Sequence, residues 1–173
     1  LRQATIAIED KNFYKHQGFD PFGMLRGLTR IFTRGYVQGG STLTQQLVKN
    51  VLLTSERSLY RKIKEFVLAV QIEKRYTKEE ILQMYLNEAP YGGTAWGVES
   101  AAEIYFGKKV TDLTLIESAF LAGLPQRPSY YSPYSSDPKA YIGRTKDVLR
   151  RMREDEHIPR DQEKEAGGQL GSI

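Results

Sequence analysis

The sequence predicts an all-α domain. Apolar residues recur at three-and-four spacing along nearly the whole chain, and no alternating polar–apolar run of useful length interrupts them. Gly, Pro, Ser and Thr fall between the periodic segments, where helices start and stop. With 173 residues, the chain suits one domain, or one domain with a small appendage.

Residues 1 to 10 read as a helix with Leu1, Thr5 and Ile8 on one side and Ala4 beside them. Asp20-Pro21 is a turn or helix-start signal, and residues 22 to 34 are amphipathic. Gly39-Gly40 breaks that run, and Ser41 is positioned to cap the helix STLTQQLVKNVLL. A long helix is expected from about Glu56 to Tyr76, with Leu59, Ile63, Phe66, Val67 and Val70 at the spacing of a buried stripe. Thr77 to Glu80 reads as a capping box opening a helix to about Asn87. Pro90 to Gly97 must be a tight loop. Helices follow at Val98–Tyr105 and Thr114–Leu121, the second halted by Gly123 and Pro125. Gln126 to Pro138 reads as a surface loop, Lys139 to Glu154 as the last long helix, and the polar stretch ending in GGQLGSI as a linker or tail.

Composition removes several chemistries. Lys plus Arg is 25 against 21 Asp plus Glu, a net charge of +4 that suits an anionic partner without naming it. Zero Cys excludes a disulfide framework, a thiolate zinc site and a cysteine nucleophile. His16 and His157 are the only histidines, so zinc-type hydrolysis is excluded as well. No stretch approaches the roughly 18 apolar residues of a membrane span. The chain opens inside a helix without Met or a secretory signal, which reads as a fragment, so the absence of an anchor here says nothing about the full-length protein.

Four constellations could carry chemistry. Glu9-Asp10 is followed by Phe13, His16 and Gly18-Phe19-Asp20. Adjacent helical carboxylates diverge by about 100°, so the two have separate jobs. Glu9 continues the semi-apolar Thr5/Ile8 side, and a carboxylate desolvated there can act as a general base; a solvated helix end is the commoner case. Gly39 to Asn50 places two glycines before a hydroxyl-rich helix start that favours anions, with Gln46, Lys49 and Asn50 on one polar face. An ordinary capped helix competes evenly with that reading. Arg57, Arg61, Lys62 and Glu65 share a face, several cations around one carboxylate, which also describes plain surface salt bridges. Arg26, Arg30 and Arg34 face away from Met24, Leu25, Leu28, Ile31 and Phe32, as in an interfacial membrane helix or a core helix with a solvated basic side.

In order, E-D-x-x-F-x-x-H-x-G-F-D, G-G-S-T-x-T-Q-Q-L-x-K-N and R-K-x-x-E resemble the peptidoglycan glycosyltransferase domain, glycosyltransferase family 51, of class A penicillin-binding proteins and monofunctional transglycosylases. The resemblance continues through Ile81 to Asn87, the glycine loop, Tyr105 to Lys108, Leu115 to Ala119 and Leu121 to Pro125. It implies a lysozyme-like helical head with a small membrane-proximal jaw at about 19–40, a domain over 1–157, and a C-terminal helix or linker tail over 158–173. It also implies polymerisation of lipid II into β-1,4 glycan with inversion and release of undecaprenyl pyrophosphate, in bacterial cell wall synthesis. By the same resemblance Glu9 is the general base and Glu65 the second essential carboxylate. Lys49, Arg57 and Lys62 would contact phosphate, with Asp10, Ser41, Gln46, Asn50 and Arg61 also on the substrate side. Arg26, Arg30, Arg34 and Phe32 would contact the membrane. The implied partners are lipid II, the growing glycan strand, the membrane surface and phosphoglycolipid inhibitors of the moenomycin type, with no nucleic acid. No cofactor is obligatory and no dedicated metal cage is visible, although Mg²⁺ or another divalent cation can assist at the pyrophosphate. The location implied is the outer face of the bacterial cytoplasmic membrane. A lysozyme or lytic transglycosylase that cuts glycan is the rival, and a non-catalytic lipid II-docking module a second one. One departure stands out: Glu154 to Ile158 lacks the Gly of the family's usual turn.

Overall fold

The computed structural model describes residues 1–25, 40–52 and 58–172. In chain order its helices are α1 (Arg2–Glu9), α2 (Leu43–Leu52), α3 (Leu59–Arg75), α4 (Lys78–Glu88), α5 (Val98–Phe106), α6 (Leu115–Gly123), α7 (Pro128–Tyr131), α8 (Ala140–Glu154) and α9 (Arg160–Gly168). Residues 21–25 are helical too. Among the described residues the only β-type pairing is an isolated bridge between Pro90 and Trp96. The all-α expectation holds. The chain divides into two units, Leu1–Lys11 with Ala89–Ile173, and Asn12–Glu88.

The first unit is built around α8, which packs on α6 and on α1. Its core joins Ala4, Ala7 and Ile8 of α1 to Ile116, Ala119 and Ala122 of α6 and to Val148, Leu149 and Met152 of α8. Four alanines at these contacts let the helix backbones approach closely. Thr114 opens α6 with a capping box: its hydroxyl accepts from Glu117 N–H, and Glu117 Oε2 accepts from Thr114 N–H at 2.8 Å. One expectation needs correction here: the loop over Gln126–Pro138 contains the short helix α7, started by Pro128 at its first position. After Pro159, where the sequence leaves a helix or a linker tail open, the chain forms α9, and Ile158, Ala166 and Leu170 bury apolar side chains against the core.

The second unit packs α2 against α3 and α4. Among its described residues, Phe13, Leu43, Val48, Ala69, Ile81, Leu82 and Tyr85 are fully buried apolar or aromatic side chains. Gly18 has φ +99°, and a Cβ there would sit 2.9 Å from the carbonyl carbon of Ala69, so the loop crosses directly on α3. That crossing decides which way α3 faces. The buried stripe expected at Leu59, Ile63, Phe66 and Val67 is exposed, with Leu59 79% accessible, while Glu65 and Ala69 are the buried residues of the helix. The three-and-four spacing located an apolar face but could not tell a core face from an outward one.

After α8 the backbone turns through Glu156, whose φ is +60°, at the place where the resemblance leads one to expect Gly. The turn holds because His157 N–H donates to Met152 O at 2.8 Å and Glu156 N–H to Arg153 O at 3.0 Å. A non-glycine residue in the left-handed region costs about 1–2 kcal/mol, partly offset by the greater unfolded-state freedom of glycine. Glu156→Gly is therefore expected to stabilise the chain by about 0.5–1 kcal/mol, read as a thermal midpoint higher by about 1–4 °C.

Candidate functional site

Glu9 is the last residue of α1, and Asp10 closes the helix by donating its N–H to Ile6 O at 2.9 Å. Residues 4–8 are all buried, so the end of the helix is held firmly in the first unit. The solvated reading of Glu9 is overturned: its side chain is 6% exposed and lies 3.0 Å from Arg144 Nη2, whose own side chain is 3% exposed. α8 delivers that arginine across 135 residues of sequence. Arg144 Nε also donates to Gly123 O at 3.1 Å, and Arg151 Nη1 donates to Ile8 O at 3.2 Å. Tyr91 is fully buried in this unit, and its backbone carbonyl accepts from Tyr105 OH at 2.7 Å. Burial first, and the Glu9 carboxylate second, push its phenol well above the ordinary tyrosine value. Its hydroxyl has no hydrogen-bond partner among the described residues.

In the second unit the start of α2 is capped by Thr42, not by Ser41. Thr42 Oγ1 accepts from Gln45 N–H at 3.2 Å, and Gln45 Oε1 accepts from Thr42 N–H at 3.0 Å, a reciprocal box. The same hydroxyl donates to Gly18 O at 2.9 Å. Ser41 is left for another partner: Lys62 Nζ donates to its hydroxyl at 2.8 Å and lies 2.8 Å from Glu65 Oε2. Glu65 is 2% exposed, with Arg61 Nε 3.9 Å from its other oxygen. Plain surface salt bridging is thus the wrong description, because the carboxylate is out of water and needs its cations. Gln46 Nε2 donates to Ser41 O, and Tyr85 OH donates to Gln46 Oε1, each at 3.4 Å. Lys49 is exposed and Asn50 half-buried on α2.

A further buried carboxylate, Glu73, was not singled out from the sequence. Its Oε1 accepts from Thr44 Oγ1 at 2.6 Å and from Lys78 Nζ at 2.8 Å, and Lys78 also donates to His16 O at 2.7 Å. His16 Nδ1 accepts from Gly18 N–H at 3.1 Å. His16 and the Gly18 turn are thereby tied to α3 and α4. Among the described residues no group of three or more His, Asp or Glu could hold a metal ion.

Comparison with known proteins now bears on this geometry. The family model described as Transglycosylase matches residues 1–153. The chain belongs to this family. As a transglycosylase domain it is a peptidoglycan glycosyltransferase of cell wall synthesis. It is 47% identical over 167 residues to penicillin-binding protein 1A of Clostridium botulinum, covering 91% of this chain and 20% of that protein. Penicillin-binding proteins 1A of Aquifex aeolicus and Escherichia coli are also 47% identical, over 94% and 92% of this chain and 22% and 19% of theirs. The transglycosylase chain thus spans about a fifth of the length of these relatives. A crystal structure of penicillin-binding protein 1A from Haemophilus influenzae matches with TM-score 0.49 and 31% identity, over 72% of this chain and 15% of that one.

Of the residues expected to carry the transglycosylase site, Glu9 and Asp10 lie in the first unit. Ser41, Gln46, Lys49, Asn50, Arg61, Lys62 and Glu65 lie in the second. Within the second unit Ser41, Lys62 and Glu65 are brought into direct contact, with Arg61 beside them. Arg57 and the membrane-contact candidates Arg26, Arg30, Phe32 and Arg34 fall outside the described residues, as does most of the jaw at 19–40. Arg144 was missed, although a signal for it existed. It sits four before Val148 and eight before Met152, a lone cation on the buried face of α8.

Two measurements check this geometry. Lys62→Met leaves Glu65 buried with Arg61 as its nearer remaining cation, which is expected to cost about 1–2 kcal/mol, kept low because half of the Lys62 side chain is in water. Adding Glu65→Gln should recover most of that loss in thermal or urea unfolding. Tyr91→Phe removes a buried hydroxyl that lacks a partner, so stability near pH 7 should be unchanged or higher by up to about 1 kcal/mol. Because the folded-state value for Tyr91 is raised, wild-type stability is complete below the ordinary tyrosine value and falls as pH rises past about 10. The Tyr91→Phe chain should show a flatter alkaline limb.

Proposed function

We propose that this transglycosylase domain polymerises lipid II, and that Glu9 is the general base of the transfer. Glu9 takes the proton from the 4-hydroxyl of the acceptor GlcNAc as that oxygen attacks C1 of the donor MurNAc. The C1–oxygen bond to the lipid pyrophosphate breaks from the opposite face, so an α-linked donor becomes a β-1,4 glycan. The leaving group departs with its electron pair as a pyrophosphate, so it needs positive charge nearby more than it needs a general acid. Lys49 and Lys62, on α2 and α3, are the described candidates to meet it, and Arg57 is the third. Glu65 holds Lys62 in place through its 2.8 Å contact, fixing the ammonium beside Ser41. In this reading a divalent cation arrives with the pyrophosphate as part of the substrate.

The observation that carries the reading is the pair of deeply buried carboxylates, each matched to a cation. They occur in a chain whose family model is that of a transglycosylase. A glutamate desolvated and held in one orientation has what a general base needs.

The site would work at a membrane. Leu59, Ile63 and Val67 on α3, and Phe22 and Leu25, leave the second unit with large apolar side chains in the open. A lipid surface is the partner that suits them, since lipid II is anchored by its undecaprenyl chain. No helix among the described residues is long and apolar enough to cross the membrane.

Glu9→Gln leaves the buried Arg144 without its counter-charge and is expected to melt lower; at a temperature where it is folded it should lower lipid II polymerisation by about 10²–10⁴-fold, since an amide cannot accept the proton. Electrophoresis of labelled product distinguishes polymer from cleaved glycan. Near wild-type glycan synthesis by the folded variant would overturn the assignment.

A further inference from the structure

We propose that Arg144 is a positioning residue for Glu9, holding its carboxylate in one orientation at the end of α1, and that Gly123 exists to let Arg144 reach it. The proposal rests on the reading of Glu9 as the general base. It adds a residue from the far end of the chain, and a glycine of α6, to the machinery that serves the reaction.

Three features of the first unit support it. The first is how Arg144 is held. Its Nη2 is 3.0 Å from Glu9 Oε1, while its Nε donates to Gly123 O at 3.1 Å. The guanidinium is planar, so these two contacts together fix the plane in which Glu9 is met. The Tyr131 ring closes one face, with the guanidinium carbon 5.4 Å from its centroid. A lysine could supply the charge but not both directed bonds.

The second feature is the route the side chain takes. A Cβ built on Gly123 would lie 2.9 Å from Arg144 Cγ and 3.6 Å from Val148 Cγ2. The obstruction meets the stem near its root, where the side chain has little room to yield. Any larger residue at 123 must displace the arginine. The LAGLP stretch therefore has a steric reason for its glycine, separate from its role in ending α6.

The third feature is that the helix bearing Glu9 is anchored as well as its carboxylate. Arg151, seven residues after Arg144 on α8, donates to Ile8 O at 3.2 Å. A cation at the last carbonyls of a helix is favourable with the macrodipole and pins the final turn. A glutamate has three side-chain torsions to lose on being ordered. Arg144 removes that freedom when the chain folds, so the reaction does not have to.

A buried ion pair can also be purely structural, so the readout must separate the two roles. The variants are Arg144→Lys, Gly123→Ala and Glu9→Gln, assayed on lipid II at a temperature where each is folded by circular dichroism. Arg144→Lys is expected to lower kcat by about 10–100-fold, with KM within about twofold, because Arg144 does not touch the substrate. Gly123→Ala, which keeps the guanidinium but shifts its stem, should show the same kcat-selective loss, and it serves in place of Arg144→Lys should that variant unfold. In the Glu9→Gln background, Arg144→Lys should cost nothing further in turnover, since there is no base left to position. Wild-type kcat in both folded variants overturns the proposal, as does a loss that repeats in full on the Glu9→Gln background. Near wild-type polymerisation by folded Glu9→Gln overturns the base reading, and the positioning role with it. An inert Glu9→Gln beside a fully active Arg144→Lys overturns the positioning role alone.

Discussion

Removing a carboxylate from water is expensive, and among the described residues Glu9, Glu65 and Glu73 show how the chain meets that cost. Glu9, Glu65 and Glu73 have side chains between 2% and 6% exposed, and each is met by a cation within 3.0 Å. An unpaired buried charge costs several kcal/mol, so the pairing fixes where other elements can lie. Arg144 can reach Glu9 only if α8 lies along α1. Lys62 can reach Glu65 and Ser41 together only if the start of α2 lies against the first turns of α3. Lys78 can reach Glu73 and His16 only if α4 turns back beside α3. These pairings restrict how the joined helices can be aligned, while apolar burial supplies the main packing, as between α6 and α8.

The local grammar of the fold was legible in the sequence. The capping box at Thr77, the glycine loop before α5 and the extents of α4, α6 and α8 all depend on residues within a few positions of each other. What depended on distant partners was not legible. The stripe of α3 has perfect helical spacing, yet Gly18 claims the opposite side of the helix, next to Ala69, and the stripe faces outward. Ser41 was the expected cap of α2 because it follows the glycines, but Thr42 has Gln45 three residues on and so makes the better box. The polar tail after Pro159 has only two well-placed apolar residues, Ala166 and Leu170, and these suffice to seat α9 on the core.

The candidate site divides in the same way. The motif order pointed to Glu9 and Glu65, and family membership agrees with the class of enzyme that order suggested. Burial of those residues could not be read locally, since a glutamate at a helix end or on a charged helix face is ordinarily solvated. The partners that bury them come from 135 residues away for Glu9 and from the neighbouring turn for Glu65. Only the second of these was within reach of helical spacing.

The discontinuous first unit has a consequence for how the chain is made. Helix α1 leaves the ribosome before the rest of its unit, and its partner Arg144 follows 135 residues later. At about 5–20 residues per second this is a delay of roughly 7–27 s. During that interval Asn12–Glu88 is synthesised, whereas the α6 and α8 residues that form a core with Ala4, Ala7 and Ile8 are still to come. The nascent chain must therefore carry an apolar, charge-tipped helix unpaired while the inserted unit forms behind it. Closing the first unit is a long-range event of high contact order, which carries a larger loop-closure cost than the local contacts of α3 with α4.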